Sequence, residues 1–135
     1  MSPALLDTHA LVWLVAHPDR LGRQALKLAK AAQEQGCLYV SAISFWEIAI
    51  LAEAGVLRLK SKPEKWRAEA LGLGLMEIEL SGSIAIRATE LMDFHQDPAD
   101  RFIAATAAEL GATLVTADAV LLEWRSKVKR QDARR

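Results

Sequence analysis

Leu5-Leu6-Asp7 is a short apolar run that ends in a carboxylate, and it passes at once into Thr8-His9-Ala10-Leu11-Val12-Trp13-Leu14-Val15-Ala16. The apolar pair predicts a short buried strand, and the apolar positions 11, 12, 14 and 15 predict a helix from Thr8 to Ala16. A second run, Thr113-Leu114-Val115-Thr116, also predicts a strand and also leads to a carboxylate, Asp118.

The rest of the chain continues this alternation of short strands and longer helices. Further strands are predicted at 38–40 and 75–80, and helices at 21–35, 44–54, 63–71, 81–91, 98–110 and 119–124. Such alternation is typical of parallel β-α-β units with right-handed crossovers. We therefore predict an α/β three-layer sandwich with a central parallel sheet of four or five strands. A single domain should span residues 1–124, and the basic tail 125–135 should add a last strand or fray.

Length and composition exclude several classes of protein. A chain of 135 residues fits one domain with a core of its own. The single cysteine, Cys37, excludes an intramolecular disulfide framework and a cysteine-based metal site. No apolar run approaches the ~20 residues of a membrane helix, and residues 1–7 contain no basic leader. We therefore expect a cytoplasmic protein without a membrane segment.

The net charge is zero, but the charges are segregated along the chain. Residues 76–118 contain eight acidic side chains and two basic ones, whereas residues 58–69 and 123–135 are both basic. A polyanion-binding protein usually has an overall basic surface, which this composition does not give. An acidic cleft flanked by basic segments could still bind a phosphate through a cation. Ordinary solvated faces and a frayed basic tail are the alternative.

Four acidic residues are predicted to meet at one edge of the sheet. Asp7 and Asp118 follow strands, and Glu47 and Asp100 lie near the starts of helices. In open α/β sheets the functional crevice lies beyond the carboxyl ends of the strands. Clustered carboxylates repel one another unless a cation compensates, and their oxygen atoms suit Mg²⁺ or Mn²⁺. This constellation predicts metal-assisted hydrolysis of a phosphodiester bond.

Three of these acids also have a purely structural interpretation. Ser44 and Glu47 have the spacing of a capping box, in which Glu47 would only accept the Ser44 N–H. Asp97-Pro98-Ala99-Asp100 has the composition of a capped helix start, and Asp118 could cap the helix that follows it.

Other catalytic signatures are absent from the sequence. His17 and His95 lie in predicted loops with no second ligand at a suitable spacing, so neither is predicted to bind metal. Ser44 lacks the Gly-x-Ser-x-Gly elbow of a nucleophilic hydrolase, and no GxGxxG or Walker A motif occurs.

Four motifs, in this order and spacing, resemble the PIN-domain ribonucleases, and specifically the VapC-type toxins of bacterial toxin–antitoxin pairs. The motifs are LLDTHALVW at 5–13, SAISFWEI at 41–48, DPADRFIAATA at 97–107 and LVTAD at 114–118. The resemblance extends from Leu5 to about Trp124. The basic segment 127–135 departs from the short final strand of the family, which puts a fifth strand in doubt.

The resemblance implies an endoribonuclease that depends on Mg²⁺ or Mn²⁺. Its catalytic and metal-binding acids would be Asp7, Glu47, Asp100 and Asp118, and Thr116 would be the hydroxyl that accompanies them. Asp100 is chosen over Asp97 because the family places the catalytic acid directly before the arginine of this motif. VapC-like toxins dimerise and are silenced by a small antitoxin, so an RNA substrate, an antitoxin and a homodimer are expected. The apolar residues of 45–51 would suit such a partner or a core helix.

Four other functions compete with that of a toxin ribonuclease. A haloacid-dehalogenase-like phosphatase needs a second aspartate two residues after Asp7, where His9 stands. A response-regulator receiver needs a lysine at the end of the last sheet strand and paired acids near the first, and neither is present. A PIN nuclease of RNA processing that is not a toxin would use the same chemistry. A degenerate PIN scaffold or RNA-binding module is the non-enzymatic alternative, although all four acids are retained.

Overall fold

The computed structural model describes residues 2–91 and 95–135. Their helices and strands, in chain order, are β1 (Ala4–Leu6), α1 (Thr8–Ala16), a 3-10 turn (Pro18–Arg20), α2 (Arg23–Glu34), β2 (Leu38–Ser41), α3 (Ala42–Glu53), α4 (Pro63–Gly72), β3 (Met76–Ile78), α5 (Gly82–Thr89), α6 (Pro98–Leu110), β4 (Thr113–Thr116), α7 (Ala119–Leu122) and β5 (Arg130–Asp132).

The five strands form one parallel sheet in the order β3-β2-β1-β4-β5. Leu5 in the central strand pairs with Tyr39 of β2 on one side and with Leu114 of β4 on the other. The strand order reverses between β1 and β4, which makes this the topological switch point of the sheet. The predicted α/β architecture with a parallel sheet of four or five strands is confirmed.

Successive side chains of β1 point to opposite faces of the sheet, and the core is correspondingly divided into two parts. Ala4 and Leu6 point to one face and pack with Leu38 and with helices α1, α2 and α4. Leu5 points to the other face, where it packs with Ile103 and with helices α5 and α6. All residues of β1 are 0% exposed. The molecule therefore has three layers, and the central strand anchors both halves of the core.

Helix α3 begins two residues before the predicted start at Ser44. Strand β2 passes directly into the helix, and Ser41 is its N-cap, because the Ser41 hydroxyl accepts a hydrogen bond from the Ile43 N–H at 3.2 Å. Ser44 therefore lies inside the helix and is fully buried. The structural interpretation of Ser44 and Glu47 as a capping box is wrong, because the N-cap is Ser41 and Ser44 is already the third residue of the helix.

Helix α6 forms as predicted, with Asp97 as its N-cap, Pro98 at its first position and Gly111 in the left-handed conformation (φ 61°) after its end. Other predicted boundaries are displaced by a few residues: α2 begins later, α7 ends earlier and β3 is shorter at both ends. Strand β3 lies at an edge of the sheet. In the part of the chain that the structure describes, no helix is long and apolar enough to cross a membrane.

The basic tail had been predicted either to add a last strand or to fray, and it adds the edge strand β5. The Arg130 guanidinium donates hydrogen bonds to the carbonyl oxygens of Trp124 and Val128, and it lies 5.8 Å from the centroid of the Trp124 ring. Ala133, just after the strand, is 0% exposed. These contacts fix the tail against the body of the domain.

Gly22 lies where the tail meets the start of α2. Its N–H donates to the carbonyl oxygen of Ala133, and the N–H of Gln24 donates to that of Arg135, each at 2.8 Å. A Cβ atom at position 22 would overlap the backbone of Arg135. Glycine is required here by this close approach and not by its backbone angles, since φ is −68°.

We expect Gly22→Ala to lower the free energy of unfolding by about 1–3 kcal/mol, because the added methyl group forces two backbone segments apart. The control is Gly72→Ala at the end of α4, where a Cβ meets no atom within 4 Å. Alanine in that helix should raise stability by up to about 1 kcal/mol. Urea unfolding of both variants measures the difference, and equal stabilities would contradict the packing of the tail.

Candidate functional site

A cavity of about 260 Å³ opens at the switch point, beyond the C-terminal ends of β1 and β4. The residues that line it are Asp7, Thr8, His9, Trp13, Glu47, Asp97, Asp100, Ala117, Asp118 and Arg134. All four acids predicted from the sequence are therefore brought together, and Asp97 joins them as a fifth.

The Asp7 carboxylate is almost completely buried, with 4% of the residue exposed. One of its oxygens accepts a hydrogen bond from the Ala10 N–H at 2.8 Å, which makes Asp7 the N-cap of α1. The other accepts a hydrogen bond from the Thr116 hydroxyl at 2.5 Å. Burial raises the pKa of Asp7 above its usual range, although these two hydrogen bonds act in the opposite direction.

Thr116 connects the ends of β1 and β4. Besides donating to Asp7, its hydroxyl oxygen accepts a hydrogen bond from the Asp118 N–H at 3.0 Å. Asp118 in turn caps α7, because its Oδ1 accepts from the Leu121 N–H at 3.0 Å. The predicted hydroxyl thus lies beneath the cavity and fixes the positions of two of the predicted acids.

Thr8 positions Glu47. Its hydroxyl makes hydrogen bonds with the Glu47 carboxylate and, at 3.0 Å, with the hydroxyl of Ser44. Because an ionised carboxylate can only accept, Thr8 donates to Glu47 and accepts from Ser44. This network replaces the predicted capping box. Burial raises the pKa of Glu47, and the Thr8 hydrogen bond only partly offsets that effect.

Asp100 lies in the first turn of α6, and 16% of its side chain is exposed. Burial raises its pKa to about 8, and repulsion from the carboxylates of Asp97, Asp118, Asp7 and Glu47 adds to the effect. At neutral pH the metal-free protein therefore favours the protonated form of this acid.

His95 lies beside two of these acids, although the sequence offered no second ligand at a suitable spacing from it. Its Nε2 is 3.2 Å from Oδ2 of Asp100 and 3.3 Å from Oδ1 of Asp118. Its Nδ1 accepts a hydrogen bond from the Asp97 N–H at 3.0 Å. Sequence spacing could not reveal the contact with Asp118, because Asp118 follows β4 and lies 23 residues further along the chain. The one available signal was the position of His95 two residues before the capped start of α6.

Arg134 is a second residue that sequence reasoning missed. It follows β5 and lines the acidic cavity. Its backbone N–H donates to the Asp132 side chain at 2.9 Å, which fixes the turn that carries it. The signal in the sequence was the basic composition of the tail. The position of Arg134 beside the cavity depends on the pairing of β5 with β4, which composition does not reveal.

The donor set around the cavity fits a hard divalent cation. The acids supply oxygen ligands, and one carboxylate oxygen each from Asp100 and Asp118 lies within 4.8 Å of the other and of a His95 ring nitrogen. Burial raises the pKa of three of the acids, so that their charged forms are disfavoured without a cation. A bound cation would reverse this preference.

Because the pKa of Asp100 is higher in the folded than in the unfolded chain, stability is lost as the pH rises from about 4 through about 8. We expect the melting temperature in EDTA to fall over this range. Asp100→Asn should weaken the dependence and raise the melting temperature at pH 8. The control is Asp19→Asn in the 3-10 turn, an exposed acid. Equal pH profiles for wild type and Asp100→Asn would contradict the raised pKa.

Comparisons with known proteins agree on one family. The PIN domain profile matches residues 4–125. The chain is 39% identical over 119 residues to ribonuclease VapC22 of Mycobacterium tuberculosis (strain ATCC 25618 / H37Rv), and the alignment covers 87% of this chain and 88% of that one.

Solved structures share the fold. DNA-bound VapBC from Salmonella typhimurium matches with a TM-score of 0.68 and 21% identity over 98% of each chain. FitAcB from Neisseria gonorrhoeae matches with a TM-score of 0.63 and 18% identity, covering 96% of this chain and 97% of that one. The profile match and the identity to a VapC ribonuclease confirm the resemblance carried by the four sequence motifs: the chain belongs to the PIN domain family.

Proposed function

We propose that this protein is an endoribonuclease that hydrolyses RNA phosphodiester bonds with Mg²⁺ or Mn²⁺, and that it is the toxin of a toxin–antitoxin pair. The observation that carries the proposal is the convergence of four acids, from four separate segments of the chain, on one cavity at the switch point. The 39% identity to a protein named as a ribonuclease supports the same activity. RNA as substrate is consistent with the predicted cytoplasmic location.

Asp7, Asp100, Asp118 and Glu47 would hold the cation in this proposal. When bound, a divalent ion lowers the pKa of a water molecule and neutralises charge on the phosphate. The protein keeps the ligands in place through hydroxyl groups behind them: Thr116 holds Asp7, and Thr8 holds Glu47. Each hydroxyl occupies only part of the bonding capacity of its carboxylate, so the remaining lone pairs can face the cavity.

Arg134 would contact the RNA backbone. It is a permanently charged group that lines a cavity of acidic residues, and a guanidinium matches the geometry of a phosphate. The side chain would offset the repulsion between the acids and the polyanionic substrate. This gives the basic tail a specific role in substrate binding.

An antitoxin and a second copy of the chain are the proposed protein partners. Structures with this fold include a toxin–antitoxin complex from Klebsiella pneumoniae (TM-score 0.56, 24% identity). Of the apolar residues on α3, Ile48 is buried in the core, whereas Trp46 and Ile50 are 56% and 46% exposed. Each of the two alternatives given for the apolar residues of 45–51 therefore fits part of this helix: Ile48 belongs to the core, and Trp46 and Ile50 are accessible to a partner.

We expect Asp7→Asn and Glu47→Gln each to lower the rate of RNA cleavage by at least about a hundredfold, a loss typical of removing a positioned acid–base group. In Glu47→Gln the amide oxygen can still accept the hydrogen bond from Thr8, so the fold should be retained. The assay is cleavage of labelled RNA with Mg²⁺ or Mn²⁺, and with EDTA as the metal-free reference.

The matched control is Glu53→Gln, at the end of the same helix and exposed. It should cleave at the wild-type rate. Wild-type cleavage by Glu47→Gln would remove Glu47 from the site. An RNA-binding wild type that cleaves no RNA with either metal would favour the inactive scaffold. Absence of a short antitoxin reading frame beside the gene would favour the RNA-processing nuclease.

Arg134→Gln should weaken RNA binding severalfold and lower the slope of log affinity against log salt by about 0.7–1, because one phosphate contact is lost. Fluorescence anisotropy in the cleavage-deficient Glu47→Gln background measures both quantities. The control is Arg135→Gln, whose side chain is 81% exposed. Truncation of the whole tail is unsuitable as a test because it would remove β5. If both arginine variants bind RNA alike, Arg134 has no special contact with the substrate.

A further inference from the structure

We propose that His95 is a positioning residue whose Nε2–H donates to Asp118 and lies beside the carboxyl group of Asp100, so that it holds the two aspartates together, and that it does not itself ligate the metal ion. The inference rests on the proposed function, since it assigns these two aspartates to the metal. It concerns a side chain that the resemblance to the family does not single out.

The hydrogen bond at Nδ1 determines the form of the ring. Because Nδ1 accepts from the Asp97 N–H at 3.0 Å, that nitrogen carries a lone pair and no proton. A neutral imidazole with an unprotonated Nδ1 carries its proton on Nε2. Nε2 is therefore a donor, and it faces Asp100 at 3.2 Å and Asp118 at 3.3 Å. The contact with Asp118 is a hydrogen bond, and the similar distance to Asp100 places Nε2 between the two carboxyl groups.

The same hydrogen bond argues against ligation through Nε2. A nitrogen that binds a metal needs a free lone pair. In a neutral ring the proton would then be on Nδ1, where it would face the Asp97 N–H, and two donors would point at each other. The position of the ring agrees with this argument. The carboxylates of Asp100 and Asp118 line the cavity, whereas His95 is outside the set of residues that line it. The His95 side chain is 10% exposed, compared with 32% for Asp118.

The consequence is a clamp between two separate parts of the fold. Asp100 is carried by α6 and Asp118 follows β4, and their carboxylates repel each other when both are ionised. A donor between them offsets this repulsion and fixes their separation. In Asp118 the oxygen that faces His95, Oδ1, also accepts from the Leu121 N–H, so its lone pairs are used and Oδ2 is left for the cavity. Groups behind metal ligands commonly orient them in this way.

The test compares two variants that both remove the imidazole ring, of which only one keeps an N–H donor near the Nε2 position. His95→Gln places an amide N–H near the Nε2 position, whereas His95→Asn is too short to reach both carboxylates. Isothermal titration with Mn²⁺ gives the affinity of each full-length variant. We expect about 10–100-fold weaker binding for His95→Asn and recovery of most of the affinity in His95→Gln. His17→Asn, in an exposed residue outside the cavity, is the control.

Spin-echo spectroscopy of bound Mn²⁺ supplies a second readout. A directly bound nitrogen signal in the wild type that disappears in His95→Gln would show that His95 is a ligand, which overturns the proposal. Unchanged or tighter Mn²⁺ binding in His95→Asn would overturn it as well, and so would a wild type that binds no Mn²⁺. Thermal unfolding in EDTA shows whether each variant folds. If His95→Asn does not fold, the Mn²⁺ affinity of His95→Gln and the spin-echo spectrum test the proposal. A wild type that binds Mn²⁺ but cleaves no RNA refutes only the proposed function.

Discussion

Burial of the Asp7 carboxylate at the end of the central strand is the constraint on which the site depends. Because β1 lies between β2 and β4, the residue that follows it has little access to water. Two hydrogen bonds, from the Ala10 N–H and the Thr116 hydroxyl, fix the carboxylate but do not compensate fully for its desolvation. Either protonation of Asp7 or a cation in the cavity can supply the remaining compensation.

The structural and functional interpretations of these acids do not exclude each other. Asp7 caps α1 and Asp118 caps α7, and both line the cavity. A cap uses one carboxylate oxygen and holds the side chain at a helix N-terminus, where the helix dipole favours its charge. Capping therefore orients the second oxygen at no extra cost in side-chain entropy. The capping role of Asp7 and Asp118 is therefore compatible with the proposed role of both acids in the site.

Local signals predicted the elements of the fold, and tertiary contacts decided the details of the site. The Asp97-Pro98 start and the Gly111 end of α6 were correct because capping depends on neighbouring residues. The capping box of Ser44 was wrong because Ser41, at the end of β2, caps the helix, and the Ser44 hydroxyl is left to bond to Thr8. The contacts of His95 and the place of Arg134 depend on how separate elements pack, which spacing along one chain does not encode.

The segregation of charge along the chain acquires a spatial meaning from the sheet order. The acidic segment 76–118 supplies Asp100 and Asp118 to the cavity, and β5 carries Arg134 to the same place from the basic tail. In the proposed function, the clustered acids would repel the phosphates of RNA while the cation is absent. A bound cation would neutralise that field and leave Arg134 free to attract the backbone. Metal binding should therefore precede productive binding of RNA, which explains how a protein of zero net charge could act on a polyanion.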